Sequence, residues 1–352
     1  MAPPARADDP YCLEDAVGPP AVIVSSPSVD GVACAVIAAR AAGGPAVTLF
    51  WESERLLDFF GAPVQQKLPG VYSLVICDHT VVHTNWDGEL VRPRLMDALR
   101  ASVAPMLWFS AQRWQPEDRA AVQNILGAER LVVSEAASCT AELVHGFFAG
   151  QADQYTDTMV LFASGRLPQE AAERWGNEWR RVISALKADP TRLSEAVGPL
   201  IEGTPERLGE NLRAQARRIE AQNRDAAARS AAGPLPVGEH KLVVVVIPRE
   251  RHAFWCEIGE FARAHKGAEL CLCHLEGRCV LILSRGPDTR VDLRIWARYL
   301  TDLMPRAHAV GERPEAVPVF VEGLREDAGL RDEAVRILQE GAHLLADRPG
   351  PA

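Results

Sequence analysis

The residues with the most chemistry in them stand at the ends of apolar runs. Residues 21–24, Ala-Val-Ile-Val, lead into Ser25-Ser26-Pro27-Ser28-Val29-Asp30-Gly31 and then into small residues from Val32 to Ala42. That order reads as strand, tight loop and helix, with a carboxylate and backbone N–H groups at one end of the strand. Asp78 closes a second run, Leu74-Val75-Ile76-Cys77, and His79 follows it. Carboxylates and imidazoles are donors for Mg2+ or Mn2+. The complement is thin, because serines stand beside Asp30 where a metal enzyme places further ligands. Asp30 and Asp78 are therefore expected to hold a cation weakly, and to act in catalysis with His79 only if the site is active. Each has a structural alternative, Asp30 as a helix cap and Asp78 as a turn residue. A grouping of His79, His83 and Asp87, and a contribution from Asp157, complete the candidates.

Arg285 follows the apolar run Val280-Leu281-Ile282-Leu283 and Ser284. An arginine there suits bidentate phosphate recognition; the alternative is a salt bridge to Asp292. The arginines at 213, 217, 218, 224 and 229 read as the solvated face of a long helix. Trp175 and Trp179, four residues apart, read as packing residues rather than a base-stacking platform. The cysteines stand at 12, 34, 77, 139, 256, 271, 273 and 279. Most lie in apolar runs and read as buried free thiols in a reducing compartment. Cys271, Cys273, His274 and Cys279 do not have a zinc spacing. They read as two strands of a hairpin turning at residues 275–278, with Cys271 and Cys273 on one face.

A chain of 352 residues accommodates two domains, and 47% hydrophobic with 24% charged residues is an ordinary globular balance. A net charge of −9 argues against a duplex-DNA binder. No apolar run reaches the about 18 residues that cross a membrane. The first ten residues lack the apolar core of a secretory signal, so a tail over 1–18 and a cytoplasmic location are expected. Apolar runs near 21–24, 46–51, 72–77, 105–109 and 131–134 alternate with helical patterns, which predicts an α/β fold with a parallel sheet over 19–150. Residues 26–30, 78–79 and 110–112 then sit at the strand ends where such sheets bind ligands. A helical region and connector follow over 151–230, with a helix start at Thr204-Pro205-Glu206. The Gly/Pro-rich stretch 231–240 reads as a linker, and a smaller α/β domain as 241–346.

These segments resemble the DHH phosphoesterases, the superfamily of RecJ-type exonucleases, oligoribonucleases, exopolyphosphatases and pyrophosphatases. The resemblance runs from about residue 20 to 345. The family's His-x-Asp-x-Asp-Gly motif is matched by Ser26-Pro27-Ser28-Val29-Asp30-Gly31, in which only the last Asp and the Gly remain. Its lone Asp after a strand is matched by Asp78. Its Asp-His-His falls on Ser110-Ala111-Gln112, and the hydroxyl-rich helix start that follows falls on Ala137-Ser138-Cys139-Thr140. A fourth acidic motif falls near Leu161-Phe162-Ala163-Ser164-Gly165, with serine in its place. The second half resembles the family's DHH-associated domain. Arg285 takes the place of its strand-end arginine, and Gly311-Glu312-Arg313-Pro314 that of its Gly-Gly-His-Pro loop, with His308 just upstream.

The resemblance implies two divalent metals, usually manganese, that generate hydroxide and neutralise charge on phosphorus. It also implies Arg285, His308, Gly311 and Arg313 as substrate contacts. The loss of several ligand positions together predicts a protein that is non-catalytic or weakly active. Such a protein uses no cofactor and binds a nucleotide, a short single-stranded nucleic acid or a protein partner between its domains. The alternative is an active Mn- or Mg-dependent phosphodiesterase or phosphohydrolase with rearranged ligands. Oligomerisation is left open.

Overall fold

The apolar runs of the first half assemble into one parallel sheet. The computed structural model describes residues 20–43, 46–68, 72–83, 85, 89–304, 306–309, 316–325 and 328–345. Strands β1 (Ala21–Ser25), β2 (Ala46–Phe50), β3 (Ser73–Cys77), β4 (Met106–Ser110) and β5 (Leu131–Val133) lie in the order β2-β1-β3-β4-β5, all parallel. β1, β3 and β4 are buried along their whole length, as strands covered on both faces must be.

Helices α1 (Val29–Ala41), α2 (Arg92–Ala101), α3 (Pro116–Leu126), α4 (Thr140–Phe147), α5 (Gln154–Ala163) and α6 (Asn177–Leu186) accompany this sheet. On one face Val22, Val24, Leu74, Ile76 and Trp108 pack against Leu95 and Leu99 of α2 and Val122 and Leu126 of α3. α1 is buried from Gly31 to Ala39 and packs against α4 and α5. Its run of Ala, Val and Cys lets the three helices approach closely. Trp175 and Trp179 are packing residues: Trp175 lies against Phe162 at 5.2 Å between ring centroids, and Trp179 Nε1 donates to the Pro205 carbonyl at 2.7 Å.

Thr204 does not start the long helix. Residues Pro205–Arg207 form a single 3-10 turn without a side-chain cap, and Leu208 leaves the helical region at ψ 121°. The long helix, α7 (Glu210–Ser230), begins beyond it. Arg213, Arg224 and Arg229 on α7 pair with Glu210, Glu220 and Asp225 one turn away, the solvated-face arrangement.

The second sheet is mixed. Its strands are β6 (Ala231–Val237), β7 (His240–Ile247), β8 (Leu270–Leu275), β9 (Val280–Arg285), β10 (Ala307–Ala309) and β11 (Ala316–Val321), ordered β10-β11-β9-β8-β7-β6. Residues 231–237, read above as a linker, are its edge strand, antiparallel to β7 with a register irregularity between Ala232 and Leu235. Pro234 and Pro236 are tolerated because an edge strand needs only one row of its backbone groups for pairing. The hairpin stands as predicted: β8 and β9 are antiparallel, and Cys271 and Cys273 are fully buried on one face with their sulfurs 3.4 Å apart. That face packs on α8 (Trp255–Lys266) through Ile258 and Ala262. The opposite face carries Leu270, Leu272, Leu281 and Leu283 against α9 (Leu293–Leu303) and α10 (Ala328–Leu345).

Among the described residues the cysteines are free thiols. Cys256 is exposed rather than buried, because it falls on the outer face of α8; Cys12 lies outside the described residues. The chain divides into two compact units, the boundary falling inside α7 between Ala216 and Arg217. Residues 151–216 of the helical region thus belong with the parallel sheet, and the rest of α7 with the mixed sheet. Among the described residues no helix is long and apolar enough to cross a membrane. Trp179→Ala removes a fully buried ring and is expected to lower stability by about 3–5 kcal/mol, measured by denaturant unfolding.

Candidate functional site

The C-terminal ends of β1, β3 and β4 bring three loops together beside the start of α4. After β1, Ser28 caps α1 through its hydroxyl, which accepts from the Gly31 N–H at 2.8 Å. The cap of α1 is thus Ser28 and not Asp30. Gly31 admits the loop to within touching distance of the helix: a Cβ there would lie 2.1 Å from the Ser26 carbonyl oxygen. After β3, Asp78 adopts φ 57°, the left-handed region that Asp tolerates better than most side chains. Its N–H donates to the Phe109 carbonyl at 3.0 Å, anchoring the turn to the end of β4.

Asp78 is 7% exposed, and its two carboxylate oxygens are met by four neutral donors. Oδ2 accepts from Ser26 Oγ at 2.5 Å and from Ser28 Oγ at 2.8 Å. Oδ1 accepts from Thr140 Oγ1 and from Gln112 Nε2, both at 3.1 Å. Gln112 Nε2 also reaches the Asp78 carbonyl at 3.0 Å, and Thr140 Oγ1 accepts from the Ala111 N–H at 3.1 Å. Each donor comes from a segment aligned above with a family motif: Ser26 and Ser28 from the first, Gln112 from the Asp-His-His position, Thr140 from the helix start.

Asp30 sits beside this network and serves a different helix. Its Oδ2 accepts from the Thr140 N–H at 2.7 Å and its Oδ1 from the Ala141 N–H at 2.9 Å. It therefore caps α4, whose dipole favours an anion there. Burial pushes the Asp30 carboxyl up to about 6, the Asp78 charge adds to the rise, and the two amide bonds oppose it. The two carboxylates are thus close enough to repel, and amides and hydroxyls donate to both.

His79 is fully buried. Its Nδ1 lies 3.1 Å from Ser53 Oγ, and its carbonyl accepts from Trp108 Nε1 at 3.1 Å. Burial drives its pKa down to about 4, so the ring is neutral at pH 7. His83 pairs with Asp118, and Asp157 lies 3.1 Å from His145. The structure therefore does not bring His83 or Asp157 into contact with Asp30 or Asp78, and Asp87 lies outside the described residues. Among the described residues no group of three or more His, Cys, Asp or Glu side chains converges to hold a metal ion. In the second unit Arg285 donates to the Thr289 carbonyl, while Asp292 is bound by Arg294. His308 stacks on Phe320 at 5.4 Å between centroids. Gly311 and Arg313 lie outside the described residues. Ser26, Ser28, Gln112 and Thr140 were not singled out as site residues from sequence; the signals were their positions at predicted strand ends and a helix start and their alignment with the family's motifs.

Gly31→Ala is expected to cost about 1–3 kcal/mol of stability by overpacking, read from the unfolding midpoint. Asp30 is more basic folded than unfolded, so the native state retains a proton that the unfolded chain loses as pH rises from about 4 to about 6. Stability should fall across that window. Asp30→Asn should remove this part of the slope in stability measured against pH.

No protein-family model matches the chain, and no curated protein matches it. Solved structures do match in fold. The DHH domain of a member of a family of ribosomal proteins aligns at TM-score 0.63 and 12% identity, covering 95% of this chain and 88% of that one. RecJ from Thermus thermophilus in complex with Mn2+ aligns at TM-score 0.61 and 11% identity, covering 97% of this chain, which spans 54% of that protein. An exonuclease RecJ bound to manganese aligns at TM-score 0.52 and 12% identity over 95% of this chain and 91% of that one. With its parallel sheet, its strand-end aspartates and its separate mixed sheet, the chain has the DHH phosphoesterase fold.

Proposed function

We propose that this chain is a non-catalytic member of the DHH fold that binds a nucleotide or a short single-stranded nucleic acid. The observation that carries the reading is the saturation of Asp78 by Ser26, Ser28, Thr140 and Gln112. An ionised carboxylate offers about four lone-pair directions, and four donors occupy them. A dication there would face hydroxyl and amide hydrogens rather than open oxygens. The Asp30 oxygens are directed at the α4 amides. Mg2+ and Mn2+ take about six oxygen or nitrogen ligands, and a two-metal site sets two ions about 3.5–4 Å apart. Two carboxylates that already hold hydrogen bonds do not fit that demand.

The choice of ligand rests on the solved neighbours, two of which are RecJ proteins, one named an exonuclease. Arg285 is proposed to contact phosphate, with His308, Gly311 and Arg313 in support. A guanidinium at a strand end supplies the paired donors that phosphate oxygens accept. Binding of a protein partner is the second reading.

Calorimetric titration with Mn2+, combined with hydrolysis assays on short oligonucleotides, cyclic dinucleotides and pyrophosphate, tests the proposal. The expected result is no micromolar metal binding and no turnover, with oligonucleotide binding weakened in Arg285→Ala. Micromolar Mn2+ affinity with turnover that vanishes in both Asp30→Ala and Asp78→Ala overturns it.

A further inference from the structure

A second set of ionisable side chains stands apart from the Asp78 network. His83 Nε2 lies 2.7 Å from Asp118 Oδ2, and Arg92 Nε donates to Asp118 Oδ1. Asp118 is 2% exposed, in the first turn of α3, where the helix dipole favours an anion. His83 is the open member: its side chain is 50% exposed. Its backbone is also tied down, because its carbonyl accepts from the Val91 N–H at 2.9 Å at the entry to α2.

This geometry sets the chemistry of the ring. A carboxylate oxygen only accepts, so Nε2 must be the protonated nitrogen of His83. In the neutral form of the ring Nδ1 then carries the lone pair, and the side chain that bears it is half exposed. The guanidinium of Arg92 supplies countercharge on the other oxygen of Asp118 and is itself 31% exposed. The pair His145 and Asp157 shows the opposite arrangement: its imidazole is 22% exposed and its carboxylate 65%. There the acid is the solvated member. At His83 the acid is buried behind the ring and steers it.

We propose that His83 is a nucleophilic imidazole that accepts a phosphoryl group from a small activated donor, an acyl phosphate or a phosphoramidate. The Nδ1 lone pair attacks phosphorus and forms the N–P bond. In an acyl phosphate the P–O bond to the acyl oxygen breaks, and the carboxylate departs with the electron pair. In a phosphoramidate the P–N bond breaks, and the amine departs with the proton it already carries on its nitrogen. The Nε2 proton of His83 stays in place, and the positive charge gained by the ring faces the Asp118 carboxylate. Asp118 is a positioning residue that holds the tautomer, and Arg92 holds Asp118. The inference does not depend on the ligand proposed above, because it uses none of the residues around Asp78.

The test is to incubate the full chain with acetyl phosphate, and separately with phosphoramidate, and to locate the label by mass spectrometry of peptides kept at neutral pH. His265, which is exposed and outside the proposed phosphate contacts, serves as internal control. His83 is expected to be labelled about tenfold faster than His265, and Asp118→Asn to reduce that rate by about tenfold. Nitrogen NMR of His83 should report the Nε2-protonated tautomer in the wild type. Asp118→Asn should lose that preference together with the labelling rate, a coupling that a merely structural ion pair would not produce. Asp118 is buried, so thermal unfolding of that variant is followed in parallel, and His83→Gln, on the exposed member, gives a second variant that should abolish the label. Label spread equally over the histidines, absent altogether, or unchanged in His83→Gln overturns the proposal, as does an unchanged His83 rate in a folded Asp118→Asn.

Discussion

A carboxylate buried at the end of a strand must be met by donors, and Asp78 organises its surroundings for that reason. The group is buried at the end of β3, and leaving its oxygens without partners would cost more than any single hydrogen bond contributes. Three segments therefore converge on the Asp78 turn: the Ser26–Ser28 loop, the Gln112 loop and the start of α4 at Thr140. The left-handed backbone at Asp78 is the local cost of that arrangement, of order ~1–3 kcal/mol. In a metal-dependent member the same converging segments would hold cations. Here hydroxyls and one amide supply the positive ends of dipoles instead.

Asp30 extends the same constraint to the next helix. Its carboxylate gives the first two amides of α4 the acceptors that the start of a helix lacks. Because Thr140 contributes its N–H to Asp30 and its hydroxyl to Asp78, one residue couples the two acids. Helices α1 and α4 and the sheet are thereby locked at one corner. Gly31 makes this corner geometrically accessible, since any side chain there would collide with Ser26.

Much of the architecture was legible in the chain. Continuous apolar runs predicted β1, β3 and β4 because strands buried on both faces tolerate few polar interruptions. The hairpin reading put Cys271 and Cys273 on one sheet face, where both are buried; that the opposite face with Leu270 and Leu272 is buried too came from the structure. Errors arose where composition and tertiary role diverge. The Gly-Pro-Leu-Pro stretch looks like a linker, but at a sheet edge it pairs through one side only. Thr204-Pro205 does open a helical turn, but it is a single 3-10 turn that ends at Leu208, and the Thr204 hydroxyl makes no cap bond.

The chemistry divides along the same line. The amino-acid order by itself determined which acids are present, that they follow strands, and that the positions beside them are serine, alanine and glutamine. Those are properties of single residues and of local periodicity. Only the tertiary structure decided what each acid touches. Ser28, not Asp30, caps α1; Asp30 serves a helix more than a hundred residues away; His83 turns to Asp118. Hydrogen-bond partners across strands are set by sheet order and register, and these follow from how all the apolar faces are buried together rather than from any one segment.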